Sequence, residues 1–242
     1  MISAAEADFA KFIQPEINQH SFSPAVLASA NFDKSLFNSA LYDQHDVYCP
    51  PAMYCASPKR QAEYFAGRYL AAQAMSYFDI HQFTLRADAK RCPQWPSTLV
   101  GSITHTNDYA ACITALKTDV AAIGIDAQDM INDARVERLQ SRIIDKAESS
   151  LLSQNELSPA LGLSLCFSAK EAIYKALYPY VQQYFGFSAA KLHSIDPSKQ
   201  TLTFRFDPAL WVLHNDRNTL QLNYLCNDQR VLTYLILPAS MK

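Results

Sequence analysis

The stretch FSAKEAIYKAL, residues 167–177, sets Glu171 and Lys175 one helical turn apart, with the carboxylate on the N-terminal side. On a solvated helix such a pair is a surface ion pair worth roughly a few tenths of a kcal/mol. Here Phe167, Ala169, Ala172, Ile173, Ala176 and Leu177 leave little of the helix for solvent, and charges along a largely apolar helix need partners. A second acid, Asp126, ends the apolar run VAAIGIDAQ. Alone, an aspartate there would cap the next turn. If Asp126 and Glu171 converge, they supply two hard oxygen ligands, which suits Mg²⁺ held jointly with substrate phosphates. Side chains alternate along a strand, so Gln128 shares the face of Asp126 and Asp129 points away. Where a metal site would place a further acid, this chain has an amide.

Three more groups could meet an anion. Thr104–His105 stands in GSITHTNDYAACI, where the alternatives are a satisfied structural histidine and a phosphate ligand. Arg60 and Arg68 lie two helical turns apart, and Lys90 and Arg91 sit in the proline-punctuated loop KRCPQWPST. Each is either a solvated surface charge or part of a set clamping separate phosphates, since arginine forks match phosphate oxygens and lysine adds point charge. Only five glycines are present, in neither G-x-x-x-x-G-K-[ST] nor G-x-G-x-x-G spacing, so neither glycine-built phosphate cradle exists. G-x-S-x-G and H-E-x-x-H are absent too. Phosphate, if handled, must be met by cationic side chains and a hard metal.

The elements that must position these groups are alternating helices and strands, an α+β chain of two comparable passes. Residues 2–13 carry helical periodicity; PAVLASANF and ALYD suggest strands. Ser57 and Pro58 open a helix over 57–78, and Asn132 or Asp133 can cap another over 132–144. A third covers 164–179 and stops at Pro179. GSITHT, YAACITAL and VAAIGIDAQ read as strands, the last two as neighbours across a KTD turn, and the tail adds LHSIDPSKQTLTFRF, LQLNYLC and VLTYLILP.

At 242 residues, with 49% hydrophobic and 18% charged residues, the chain can bury a sizeable core. A formal charge of −2 gives no basic field for nucleic acid, so any anion must be bound locally. No apolar run approaches the roughly 18–20 residues of a bilayer span, so no stable membrane insertion is expected. The N-terminus lacks a basic region followed by an apolar core, and the six cysteines show no C-x-x-C spacing. They read as buried free thiols of a reducing compartment, with the cytoplasm as the expected location.

KRQAEYFAGRYLAAQAM, KRCPQWPSTLVGSITHTNDYAACI, IGIDAQDM and FSAKEAIYKALYP, taken in this order, resemble the Sfp-type 4′-phosphopantetheinyl transferases, especially the branch of the enterobactin synthase transferase component. The likeness extends over roughly residues 30–235. It implies two similar α/β halves related by pseudo-twofold symmetry, 1–119 and 120–242, with the active site in the cleft between them and a monomeric chain. It implies transfer of the phosphopantetheine arm of coenzyme A to a serine hydroxyl of an apo acyl or peptidyl carrier protein, leaving adenosine 3′,5′-bisphosphate. On this resemblance Asp126 and Glu171 match Mg²⁺ ligands, with Gln128 at a third ligand position, and Glu171 also helps to deprotonate the serine, directly or through a water. Lys175 matches the lysine that neutralises the pyrophosphate and protonates the leaving group. Lys170, Thr104 and His105 would touch phosphates, and Arg60, Arg68, Lys90 and Arg91 would grip the nucleotide and its 3′-phosphate.

Gln128 departs from the glutamate that many relatives have there. One unit pair at 4 Å is worth about 4 kcal/mol at an effective dielectric near 20, an upper-range guide because water and pyrophosphate can fill the place. Weaker Mg²⁺ affinity with retained function is the expectation. The alternatives are a non-catalytic coenzyme A or carrier-binding homologue with a degraded metal site, and a generic α+β protein whose Asp126 and Glu171 never meet. The carrier served is not specified by the residues; a siderophore-forming nonribosomal peptide synthetase is the nearest analogy.

Overall fold

Breakers and caps set most element boundaries in the computed structural model, which describes residues 4–210 and 218–239. The chain divides into two compact units, Met1–Lys117 and Thr118–Lys242.

In the first unit, helix α1 (Ala4–Phe12) leads to strands β1 (Glu16–Asn18) and β2 (Val26–Asn31). Residues 2 and 3 of the expected first helix lie outside the described residues. ALYD is not a strand: it lies in a helical turn, α2 (Leu41–Gln44). The reason is local turn chemistry, because Asn38 Oδ1 accepts the Ala40 N–H at 3.1 Å. Leu41 and Tyr42 are both buried, and the His45 N–H closes on the Leu41 carbonyl at 3.1 Å as a helical turn requires. After α3 (Pro51–Tyr54) comes the long helix α4 (Pro58–Ser76), capped as expected by Ser57, whose Oγ accepts the Arg60 N–H at 3.3 Å. Strands β3 (Leu99–His105) and β4 (Tyr109–Leu116) complete a four-stranded sheet of order β1-β2-β4-β3, antiparallel throughout. α4 buries Ala62, Phe65, Ala66, Leu70 and Ala74 in the core of this unit. Each large side chain so buried stabilises by about 1.5–3 kcal/mol. Phe65 also meets Phe12, Phe37 and Tyr42, ring to ring at 5.5–5.9 Å.

The second unit opens with β5 (Val120–Asp129) and helices α5 (Asp133–Ile143), α6 (Lys146–Gln154) and α7 (Pro159–Val181). Strands β6 (Ala190–Asp196), β7 (Thr201–Phe206), β8 (Thr219–Cys226) and β9 (Arg230–Pro238) follow. They form a five-stranded antiparallel sheet of order β5-β9-β8-β7-β6. The KTD turn therefore does not join sheet neighbours. β4 already has β2 on one side and β3 on the other, so no hydrogen-bonding edge remains for β5, which pairs with β9 instead. α5 starts at the expected Asn132 cap. α7 is longer than the expected 164–179: capped by Ser158, it starts five residues earlier at Pro159, and it runs past Pro179 to a left-handed Gln182 (φ 56°). Gln182 N–H closes on the Tyr178 carbonyl at 2.9 Å, so the proline removes one rung in the final turn without ending the helix.

Each unit thus carries one long helix against an antiparallel sheet. In the second, α7 approaches β5 backbone to backbone: a Cβ on Gly124 would lie 2.0 Å from the Ala172 carbonyl oxygen and 2.8 Å from the Ala176 nitrogen. All six cysteines are free, but only Cys49, Cys112 and Cys166 are buried; Cys55 and Cys226 are exposed, against the expectation of uniformly buried thiols. Cys226 shares the inward register of Leu220, Leu222 and Tyr224, but it is the last residue of β8, where the alternation of burial ends. Among the described residues no helix is long and apolar enough to cross a membrane.

Candidate active site

One face of α7 carries Ser164, Ser168, Glu171 and Lys175, spaced four, three and four residues apart as one helical stripe requires. The stripe is latched to the sheet. Ser164 Oγ accepts the Ile131 N–H at 2.9 Å, while Ser168 Oγ donates to the Asp126 carbonyl at 2.9 Å and lies 2.9 Å from Thr233 Oγ1. Lys175 Nζ donates to the Ile125 carbonyl at 3.1 Å and to Asp126 Oδ1 at 2.7 Å. With Gly124 removing any side chain from the contact, these bonds fix Asp126 of β5 opposite the helix face that bears Glu171.

The two acids meet electrostatically. Burial pushes the Glu171 carboxyl above the ordinary carboxylate range, the Asp126 carboxylate beside it pushes it further, and the Lys175 ammonium opposes both. Two carboxylates and one ammonium leave a net negative cluster with hard oxygen donors. Among the described residues no group of three or more His, Cys, Asp or Glu could hold a metal, so this is not a complete protein cage. A donor set of two carboxylates nevertheless fits Mg²⁺, which keeps water and substrate oxygens in its shell. Gln128 Nε2 donates to the Asp129 carbonyl at 2.6 Å, so its amide oxygen is the atom it can offer a metal.

Lys170 does not join this cluster. One residue of helix rotation, about 100°, carries it off the stripe, and its Nζ lies 2.7 Å from Glu148 Oε1 and 2.7 Å from the Ile143 carbonyl. The side chains of Lys170 and Glu148 are 1% and 2% exposed, so substrate phosphate has no access to that ammonium. Glu148 belongs to α6, where it closes a capping box with Asp145 and also accepts the Leu192 N–H at 2.8 Å.

In the first unit the polar cluster lies where α4 meets the end of β3. Arg60 Nη1 is 2.7 Å from His105 Nε2 and 3.4 Å from Glu63 Oε2, and His105 Nδ1 is 3.8 Å from the same carboxylate oxygen. A guanidinium only donates, so His105 Nε2 accepts and its proton is assigned to Nδ1, facing Glu63. Lys59 Nζ lies 3.8 Å from Glu63 Oε1 and bonds Asn107 Oδ1. Thr104 does not share this face: it is buried while His105 is part-exposed, as alternation along β3 dictates. Arg68 lies over the Tyr64 ring at 5.1 Å, with its Nε 3.4 Å from the Tyr64 hydroxyl, rather than beside Arg60. Lys90 and Arg91 sit on an exposed turn where Asp88 Oδ1 accepts the Lys90 and Cys92 amides, with Arg91 at φ 67°.

Glu63, Ser168 and Glu148 are the residues that spacing arguments passed over. Ser168 was within reach, since the 164-168-171-175 stripe is visible in the sequence. Glu63 follows Arg60 by three residues, an ordinary helical pair until β3 brings His105 to it.

Residues 50–115 match the model of the 4′-phosphopantetheinyl transferase N-terminal domain, and residues 122–234 match that of the 4′-phosphopantetheinyl transferase superfamily. The enterobactin synthase component D of Salmonella typhimurium is 30% identical over 200 residues, covering 81% of this chain and 82% of that protein. The corresponding protein of Escherichia coli is 32% identical over 143 residues, 58% of this chain and 67% of its own. The 4′-phosphopantetheinyl transferase Svp of Streptomyces mobaraensis is 30% identical over 158 residues, 62% and 61% of the two chains.

Proposed function

The chain belongs to the 4′-phosphopantetheinyl transferase superfamily, an enzyme family that moves the phosphopantetheine arm onto carrier proteins, and from that premise we propose how its residues divide the work. The observation that supports the assignment most directly is the convergence of Asp126, Glu171 and Lys175, from a strand and a helix more than forty residues apart in sequence.

Asp126 and Glu171 would hold Mg²⁺ through carboxylate oxygens, with Gln128 offering its amide oxygen directly or through a water. The metal, when bound, supplies positive charge at the pyrophosphate of coenzyme A. Glu171 has a second task, for which its raised pKa suits it: it takes the serine proton, directly or through a water, as the carrier hydroxyl attacks the phosphorus bearing the pantetheine arm. The new bond joins serine Oγ to that phosphorus, and the bond to the bridging pyrophosphate oxygen breaks. Lys175, already 2.7 Å from Asp126 Oδ1, neutralises the charge that develops on the departing oxygen and delivers a proton to adenosine 3′,5′-bisphosphate. Arg60 and His105 grip phosphate on the nucleotide side, with Arg68, Lys90 and Arg91 as further cations. Lys170 has no part in this reading, and Thr104 supports the strand rather than the ligand. Such chemistry asks little covalent work of the protein and much positioning.

The carrier we propose is a peptidyl carrier of a siderophore-forming synthetase, on the names of the relatives. Incubating apo carriers of peptide, polyketide and fatty-acid systems with the purified chain, coenzyme A and Mg²⁺ tests this by intact mass. The expected result is the phosphopantetheine adduct, abolished by a metal chelator; no adduct on any carrier overturns the proposal.

A further inference from the structure

At the centre of the cationic cluster in the first unit stands a negative charge. Glu63 is 8% exposed, and a carboxylate withdrawn from water needs compensation. It has three partners: Lys59 at 3.8 Å, Arg60 at 3.4 Å and His105 at 3.8 Å. Arg60 and His105 also bond one another at 2.7 Å, so Glu63, Arg60 and His105 form a closed triangle from two residues of α4 and the last residue of β3. Beside an anion subsite an acid is a liability unless it does something for the cations around it.

We propose that Glu63 is the positioning residue of this subsite: its carboxylate holds the Arg60 guanidinium, whose donation to His105 Nε2 keeps the imidazole proton on Nδ1, presetting both side chains for a phosphate-bearing ligand. This rests on the assignment of Arg60 and His105 to coenzyme A made above. Without the carboxylate, Arg60 is free to adopt other rotamers, and its donation to His105 Nε2, which sets the tautomer, is weakened. Lys59 and Arg60 outnumber Glu63, so the cluster remains positive toward the ligand.

The sign of one substitution separates this from the bland alternative. Glu63→Gln removes a negative charge near the proposed phosphate. A bystander acid, once neutralised, would leave coenzyme A binding unchanged or tighter; loss of a positioning acid weakens it. In full-length protein we expect Glu63→Gln to raise KM for coenzyme A about five- to tenfold, the loss of a charge-assisted contact, with kcat and melting temperature little changed. Glu63→Asp, which keeps the charge with a shorter reach, should restore part of the loss. Should Glu63→Gln fail to fold, Glu63→Asp against wild type carries the KM comparison. A folded variant with unchanged or lowered KM overturns the proposal. Nitrogen-15 spectra of the histidine rings, with His105 assigned by His105→Ala, give a readout independent of turnover. Wild type should show the Nδ1–H form and Glu63→Gln a mixture, and an unmoved tautomer overturns the proposal even if the protein transfers nothing. Absence of coenzyme A turnover in wild type counts instead against the functional reading.

Discussion

Lys170 and Lys175 stand on the same helix, and each holds its ammonium 2.7 Å from a carboxylate oxygen. Their surroundings make them opposites. The Lys170–Glu148 pair is 1% and 2% exposed, whereas Lys175 and Asp126 are 27% and 10% exposed. Distance alone does not tell a fastening from a working group; access does. The sealed pair joins α7 to α6 and cannot exchange partners. The open pair is within reach of solvent, so a cation or phosphate arriving there can compete for Asp126 and Lys175.

The hardest test of that contrast is to break the sealed pair. Lys170→Met strands the Glu148 carboxylate in the interior and should lower stability by about 3–5 kcal/mol in chemical denaturation. Adding Glu148→Gln, which keeps an acceptor for the Leu192 amide, should recover much of it. A stable Lys170→Met protein that has lost only coenzyme A binding would erase the distinction between the two lysines.

On the open side the effects move from stability to rate. Asp126→Asn and Glu171→Gln should each lower transfer by about 10²–10³-fold, the scale of losing one preorganised electrostatic contact. In metal-free protein Glu171→Gln should leave the melting temperature unchanged or raised, because burial and Asp126 both disfavour the Glu171 charge. The sign follows from the raised pKa: the folded state holds the Glu171 proton more tightly than the unfolded chain. Ionised Glu171 therefore detracts from stability above its folded pKa, and that loss is relieved as pH falls through it. Metal binding runs the other way, fading over the same interval, whose midpoint a carbon-13 titration should place above 4.5 and Asp126→Asn should lower.

Lys175→Met should cost about 10–100-fold in transfer and less stability than Lys170→Met, because Lys175 is 27% exposed and water can reach the acid it leaves. The smallest expected effect is at Gln128. Glu in its place should reduce the Mg²⁺ concentration for half-maximal rate by about tenfold, on a charge argument; an unmoved midpoint removes Gln128 from the metal's surroundings.

Asp126, Glu171 and Lys175 were legible in sequence because an acid at the end of an apolar strand and charges along an apolar helix are expensive to leave without partners. Lys170 was misread because its partner comes from α6, a short helix whose capping box, Asp145 with Glu148, carries the signal that periodicity does not. The boundaries at Ser57 and Asn132 were legible because caps act over three residues. The separation of β4 from β5 was not, because it depends on β9 arriving from the far end of the unit. Thr104 and His105 look like one pair in the sequence, yet strand alternation sends them to opposite sides.

Gly124 has a consequence for anyone who would alter this protein by selection. A position where even a methyl group would fall 2.0 Å from a backbone oxygen has an alphabet of one letter. Variant libraries aimed at new metals or carriers can explore Gln128 freely while Gly124 stays constant. A methyl there would push β5 off α7, and Asp126, two residues downstream, would be carried out of register with Glu171. Gly124 acts as a gauge block, setting the gap between Asp126 and Glu171 by having nothing in it.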